Sequence, residues 1–171
     1  MSMHPLHHPL FVKFIVYFNG NQDYFECHEV LEEYWKSLPD GGKAHPLTAY
    51  ILLATGLYHW RRGNGEGALK TLRKAEDKFQ SMPNEYPVYA QEIDYTRLME
   101  DVQQSIGRLE QELEFEPFPL QVTDRLQKLA DDIEPSMELL PAQSDAVVYK
   151  HMLRDRSDIL SQREEKKKGR R

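Results

Sequence analysis

The chain has 171 residues, of which 40 % are hydrophobic and 29 % charged, and its formal net charge is −6. That length and balance fit one globular domain, or one domain with an extension. A single cysteine, Cys27, excludes an internal disulfide framework and a multi-thiolate zinc centre. The longest apolar run, residues 49–60, is about 8 residues short of a bilayer span.

Residues 1–8 read as a mobile leader. Its His4, His7 and His8 are able to catch a metal ion, but the segment has the composition of a disordered end. The apolar stretch Leu10 to Phe18 is broken by Lys13 and lacks a basic leader, so it reads as a helix over Pro9–Phe18 rather than a signal peptide. Asn19-Gly20-Asn21 breaks the chain. Asp23, with Glu26 three residues on, predicts the start of a second helix ending near Leu38. Pro46 suits the first turn of a third helix reaching Arg62, and Gly63 is a left-handed stop. Asn64 then caps a fourth helix bearing Ala68, Leu69, Leu72, Ala75, Phe79 and Met82, with Pro83 as its end.

A fifth helix is expected from about Pro87, with Met99, Val102, Ile106, Leu109 and Leu113 as its apolar stripe. Pro117 and Pro119 mark a boundary. A short helix over 123–133, a loop with Pro135 and Pro141, and an amphipathic helix from Asp145 toward Glu165 follow. No strand is predicted. The expected fold is all-α: an antiparallel bundle of about five helices over 9–115, with a helical extension over 116–171. Residues 163–171 carry six basic and two acidic groups, a net +4 that leaves −10 on the rest. The acidic body argues against a broad nucleic-acid face, and the tail reads as a solvated terminus.

The candidate chemistry lies in Tyr24-Phe25-Glu26-Cys27-His28-Glu29-Val30-Leu31-Glu32-Glu33-Tyr34-Trp35. On a helical wheel Cys27, Val30, Leu31, Tyr34, Trp35 and Leu38 form the core face. His28 and Glu32 lie on its margin, four residues apart, where their side chains can meet. The pattern superficially resembles a metallopeptidase helix, but Glu32 stands where the second histidine is required. In the third helix Thr48, Leu52, Thr55 and His59 share one side. Were that helix central, they would place a polar strip inside the bundle, which has to be satisfied by partners such as His28 or Glu32. Metal sites in bundles are built from such facing side chains.

Three readings of the cluster therefore stand. It locks two helices in register, or it forms a pocket for a small ligand or divalent transition metal with His28, Glu32 and His59 as ligands, or it is catalytic, hydrolytic chemistry being the form considered. Trp35, Thr55 and Asn64 belong to the same neighbourhood. The glycine-rich segment 63–68 follows a helix and lacks a phosphate-loop lysine, so it reads as a tight corner, with Gly56, Gly67 and Ala68 allowing close backbone approach.

Phe25, His28, Glu29, Glu32 and Trp35, followed by Leu57-Tyr58-His59 and then Gly63-Asn64 with Gly67-Ala68, resemble Domain of Unknown Function 309, a family of small all-helical prokaryotic proteins. The resemblance implies a compact helical bundle and brings no established activity, substrate or cofactor. It points to His28, Glu32, Trp35, His59, Asn64, Gly67 and Ala68. A weaker likeness to one tetratricopeptide hairpin runs through Gly56, Gly63, Ala68, Leu72 and Ala75. The leading functional expectation is a cytoplasmic, non-catalytic interaction or scaffold protein. Its expected partner is a protein, a small ligand or a second copy, with no membrane; nucleic acid is not expected on the acidic body, although the basic tail is able to touch nucleic acid or an acidic partner.

Overall fold

A computed structural model describes residues 3–149. Helices α1 (Pro9–Val16), α2 (Tyr24–Ser37), α3 (Leu47–Arg61), α4 (Gly65–Glu85), α5 (Tyr95–Glu110), α6 (Asp124–Ile133) and α7 (Asp145–Val148) make the fold all-α. The described residues contain no strand, only an isolated antiparallel bridge between Ile93 and Val122. The part of the last expected helix beyond Tyr149, and the basic tail, lie outside the described residues.

Local signals account for most of these starts and stops. Asp23 accepts the Glu26 N–H at 3.1 Å and opens α2, and Asn64 accepts the Gly67 N–H at 3.0 Å and opens α4. Gly63, at φ 92°, turns the chain between α3 and α4 in the region that glycine enters without penalty. The tight approach there comes from Gly56, where a Cβ would sit 2.6 Å from a Leu72 methyl. At Gly67 a Cβ would instead meet the Asn64 cap side chain, so that glycine serves the cap rather than the helix contact.

Two boundaries differ from expectation. Pro83 lies inside α4, which runs to Glu85. A proline removes the hydrogen bond to the carbonyl four residues back, here that of Phe79. The Tyr95 hydroxyl donates to the Phe79 carbonyl at 2.7 Å and satisfies it. Pro87 opens only a short 3-10 turn, Pro87–Ala90, and α5 starts at Tyr95, where Asp94 accepts the Arg97 N–H at 3.0 Å. Leu98, Val102, Ile106 and Leu109 are its buried stripe; Met99 is only half-buried, and Leu113 falls beyond the helix, exposed.

Within the leader, the described residues 3–8 pack against the bundle. Pro5–His7 form a 3-10 turn, Leu6 is fully buried, and the Tyr34 hydroxyl donates to the Pro5 carbonyl at 2.8 Å. One apolar side chain and a set of polar anchors offset the ordering cost that composition alone suggested would win. The chain after Pro117 also packs on the bundle. Asn19 donates to the Leu120 carbonyl and accepts from its N–H at 3.0 and 2.8 Å. Asn21 donates to the Leu140 carbonyl, and α6 lies against α1.

Three His-Pro pairs share one device. His4, His8 and His45 each accept, through Nδ1, the N–H two residues on, all at 3.1 Å. A backbone N–H can only donate, so each neutral ring carries its proton on Nε2. Burial lowers the pKa of His8 and His45, opposed by the charges of Glu33 and Asp40 respectively. His8 also stacks on Tyr34, and His45 Nε2–H donates to the Tyr89 hydroxyl at 3.4 Å. A histidine with a depressed folded-state pKa contributes stability that is present above its unfolded pKa and lost as pH falls below it. The melting temperature is therefore expected to fall between pH 7.5 and pH 5.5. That window lies above the titration of Glu32 and Glu92, whose carboxyls are held below the usual range. In the double variant His8→Asn/His45→Asn, which caps without titrating there, melting curves at the two pH values should nearly coincide. An unchanged pH slope in that variant would remove the caps as its source.

Candidate functional site

Of the six residues that the wheel assigns to the core face of α2, Cys27, Val30, Leu31 and Tyr34 are buried while Trp35 and Leu38 are only half-buried; Tyr24 is buried as well, and His28 and Glu32 stay at the margin. The pair meets, with His28 Nε2 3.2 Å from a Glu32 oxygen, and the two side chains are 32 % and 31 % exposed. His28 Nδ1 also approaches Glu29 at 3.4 Å, and Lys36 holds the other Glu32 oxygen. The hydrogen bond from Lys36, then the charge of His28, holds the Glu32 carboxyl below its ordinary range against the opposing effect of burial. A pair this exposed contributes about 0.3–0.5 kcal/mol, less than a buried lock between helices would.

The polar strip of α3 is not inside the bundle. Thr48, Thr55 and His59 are half-buried, on the side of α3 away from Tyr50, Leu53, Leu57 and Trp60. Thr55 donates back to the Ile51 carbonyl at 2.9 Å, and His59 Nδ1 accepts from Arg62 at 2.9 Å. Both are local bonds along one helix. His28, Glu32 and His59 do not form a set whose ligand atoms all lie within 4.8 Å; among the described residues that set is His4, His7 and Glu92. Asn64 is occupied as a cap, and Trp35 donates to the Gly42 carbonyl at 3.1 Å, pinning the turn after α2. Cys27 is fully buried, with its thiol against the Phe14 carbonyl, and burial pushes its pKa well up. It is packing, not a nucleophile.

Sequence reasoning missed a groove of about 1040 Å³ at the α3–α4 corner, closed by the chain that leaves α5. Trp60, Leu69, Leu109 and Phe115 give it an apolar floor. Trp60 is fixed by donating to the Leu113 carbonyl at 3.2 Å and by an edge contact with Phe115. Glu66, Glu110, Glu112 and Glu114 stand exposed around it, and Arg61 lies in its wall. Arg61 donates to the Gln22 carbonyl at 2.6 Å and covers the Tyr24 ring at 4.7 Å, while its Nε and Nη2 are buried without a hydrogen-bond partner. Burial lowers its pKa, opposed by Tyr24 and Asp23. No single motif announces the groove, because its residues come from 22, 60–69, 109–117, 143 and 148.

Among the described residues no helix is long and apolar enough to cross a membrane. The profile of the family "Domain of unknown function (DUF309)" matches residues 11–71. The chain is 32 % identical to the "Uncharacterized protein YpuF" of Bacillus subtilis (strain 168) over 160 residues, which cover 90 % of this chain and 91 % of that protein. No solved structure matches the chain at a significant level. The matched span holds most of α1, all of α2 and α3 and the capped start of α4, including His28, Glu32, His59 and Asn64, and the relative extends the match over nearly the whole length. This chain belongs to the DUF309 family, whose function is unknown.

Proposed function

We propose that the protein is a non-catalytic cytoplasmic docking module whose groove takes a basic, amphipathic segment of a protein partner. The observation that carries this reading is the pairing of an apolar floor with four exposed rim carboxylates, Glu66, Glu110, Glu112 and Glu114. The floor rewards burial of leucine-like side chains. The rim attracts lysine and arginine and sets orientation more than affinity. Arg73 pairs with Glu110 at 3.2 Å, but both side chains are more than half exposed, so an incoming cation can displace it at little cost. The half-exposed His28–Glu32 pair lies on α2, outside the groove lining.

The test uses a labelled 14-residue leucine–lysine peptide with helical spacing, titrated into the full chain at low and moderate salt. Binding should weaken with salt and fall at least about tenfold in Glu110→Lys/Glu112→Lys, equivalent to about 1.4 kcal/mol. Asp131→Lys/Asp132→Lys on α6 makes the same change in net charge away from the groove and should keep wild-type affinity. Equal losses in the two variants would reduce the effect to general acidity and end the proposal, as would a wild-type chain that does not bind the peptide.

A further inference from the structure

The leader and the loop before α5 bring together donors that lie 85 residues apart in the chain. His7 Nε2 is 2.9 Å from Glu92 Oε1, and the His4 and His7 rings are 4.9 Å apart. Ligand atoms of His4, His7 and Glu92 all lie within 4.8 Å of one another. The amide oxygen of Gln91 is 3.3 Å from His4 Nε2.

The trio is held from behind. Glu92 is buried, and its second oxygen accepts the hydroxyl of Thr123, the cap of α6. The turn bearing the histidines is fixed by buried Leu6 and by the Tyr34 hydroxyl on Pro5. An outer shell that orients each ligand is what a metal centre needs.

The geometry points to a divalent-metal site at His4, His7 and Glu92, of the class that takes zinc. Two imidazoles and one carboxylate suit zinc and its transition-metal neighbours, whereas magnesium and calcium ask for oxygen ligands. Donors around a bound zinc stand about 3.3 Å apart, so the trio must contract by about 1.5 Å at most. The Gln91 oxygen or a water fills the fourth position. Binding requires both rings with Nε2 unprotonated. His7 then exchanges its bond to Glu92 for a shared ion, and His4, protonated on Nδ1, gives up the Leu6 N–H. The cost is one cap on a three-residue turn. The ion would clamp the leader to the α4–α5 linker and, through Thr123, to α6. None of these residues lines the groove, so this inference and the docking proposal fail independently.

The experiment is calorimetric titration of zinc chloride into the full chain, prepared without a polyhistidine tag and stripped with EDTA. One equivalent should bind with a dissociation constant of about 1 µM or tighter, and saturating zinc should raise the melting temperature by several degrees. His4→Ala and His7→Ala should each weaken binding at least about tenfold while keeping a wild-type far-ultraviolet circular dichroism spectrum. Cobalt in place of zinc should give visible bands of a nitrogen–oxygen site in the wild type that both variants lose. Absent heat and absent thermal shift, or wild-type affinity in both variants, would overturn the site and leave a hydrogen-bonded latch.

Discussion

Tyr50→Ala is expected to destabilise the protein by about 4 kcal/mol, the middle of the range for truncating a large core aromatic. Tyr50 is fully buried in α3 and makes edge contacts with Phe11 and Phe14 of α1 and Phe79 of α4, at ring separations of 5.2, 5.9 and 5.1 Å. These contacts tie three helices at one point. Truncation leaves a cavity among rigid rings that collapse poorly, and the loss of edge-to-face geometry adds to the transfer term. The hydroxyl has a separate task. It donates to the Tyr89 carbonyl at 2.6 Å, and Tyr89 in turn meets His45, whose ring accepts the N–H of Leu47 at the start of α3. Tyr50→Phe keeps the rings and orphans that carbonyl, at a cost of about 1 kcal/mol. Urea denaturation of the three proteins separates the contributions. A Phe variant as unstable as the Ala variant would place the weight on the hydrogen bond, against the packing account.

Asp23→Ala should cost about 3 kcal/mol, for two reasons that a second substitution separates. Asp23 is 1 % exposed and caps α2. Its charge also favours the protonated form of Arg61, a cation with two buried, unpartnered nitrogens. Losing the cap accounts for about 1 kcal/mol. The remainder is the penalty of a buried guanidinium left with less compensation. Asp23→Asn retains the acceptor for the Glu26 N–H and removes the charge, so it should lose about 2 kcal/mol. At about 2–4 °C per kcal/mol for a chain of this size, the alanine variant should melt about 6–12 °C lower. Wild-type stability in the asparagine variant would mean that the Arg61 charge is balanced without Asp23.

The candidate site was legible only where its chemistry is local. His28 and Glu32 stand four residues apart on a helix, and the structure joins them. Asn64 and Gly63 belong to a cap and a stop, and act as such. The placing of His59 is not legible, because nearly every side of α3 is apolar in sequence, which hides the side facing out. Half-buried Ile51 and Leu52 occupy that side beside Thr55. The His-Pro turns are a local signal, since each uses residues two apart. The His4–His7–Glu92 trio had no such signal.

Helix type, most helix starts, most of the core faces of α2 and α5 and the all-α class were determined by the sequence alone, because caps and the 3.6-residue period act over a few neighbouring residues. Tertiary structure decided that the leader docks, that α4 continues through Pro83 by lending the Phe79 carbonyl to Tyr95, and that Asn19 grips Leu120 from 101 positions away. It also decided which cavity exists, by bringing α3, α4 and the exit from α5 to one corner. Such pairings depend on the free energy of packing whole elements. That quantity belongs to the assembled core and to no window of the chain.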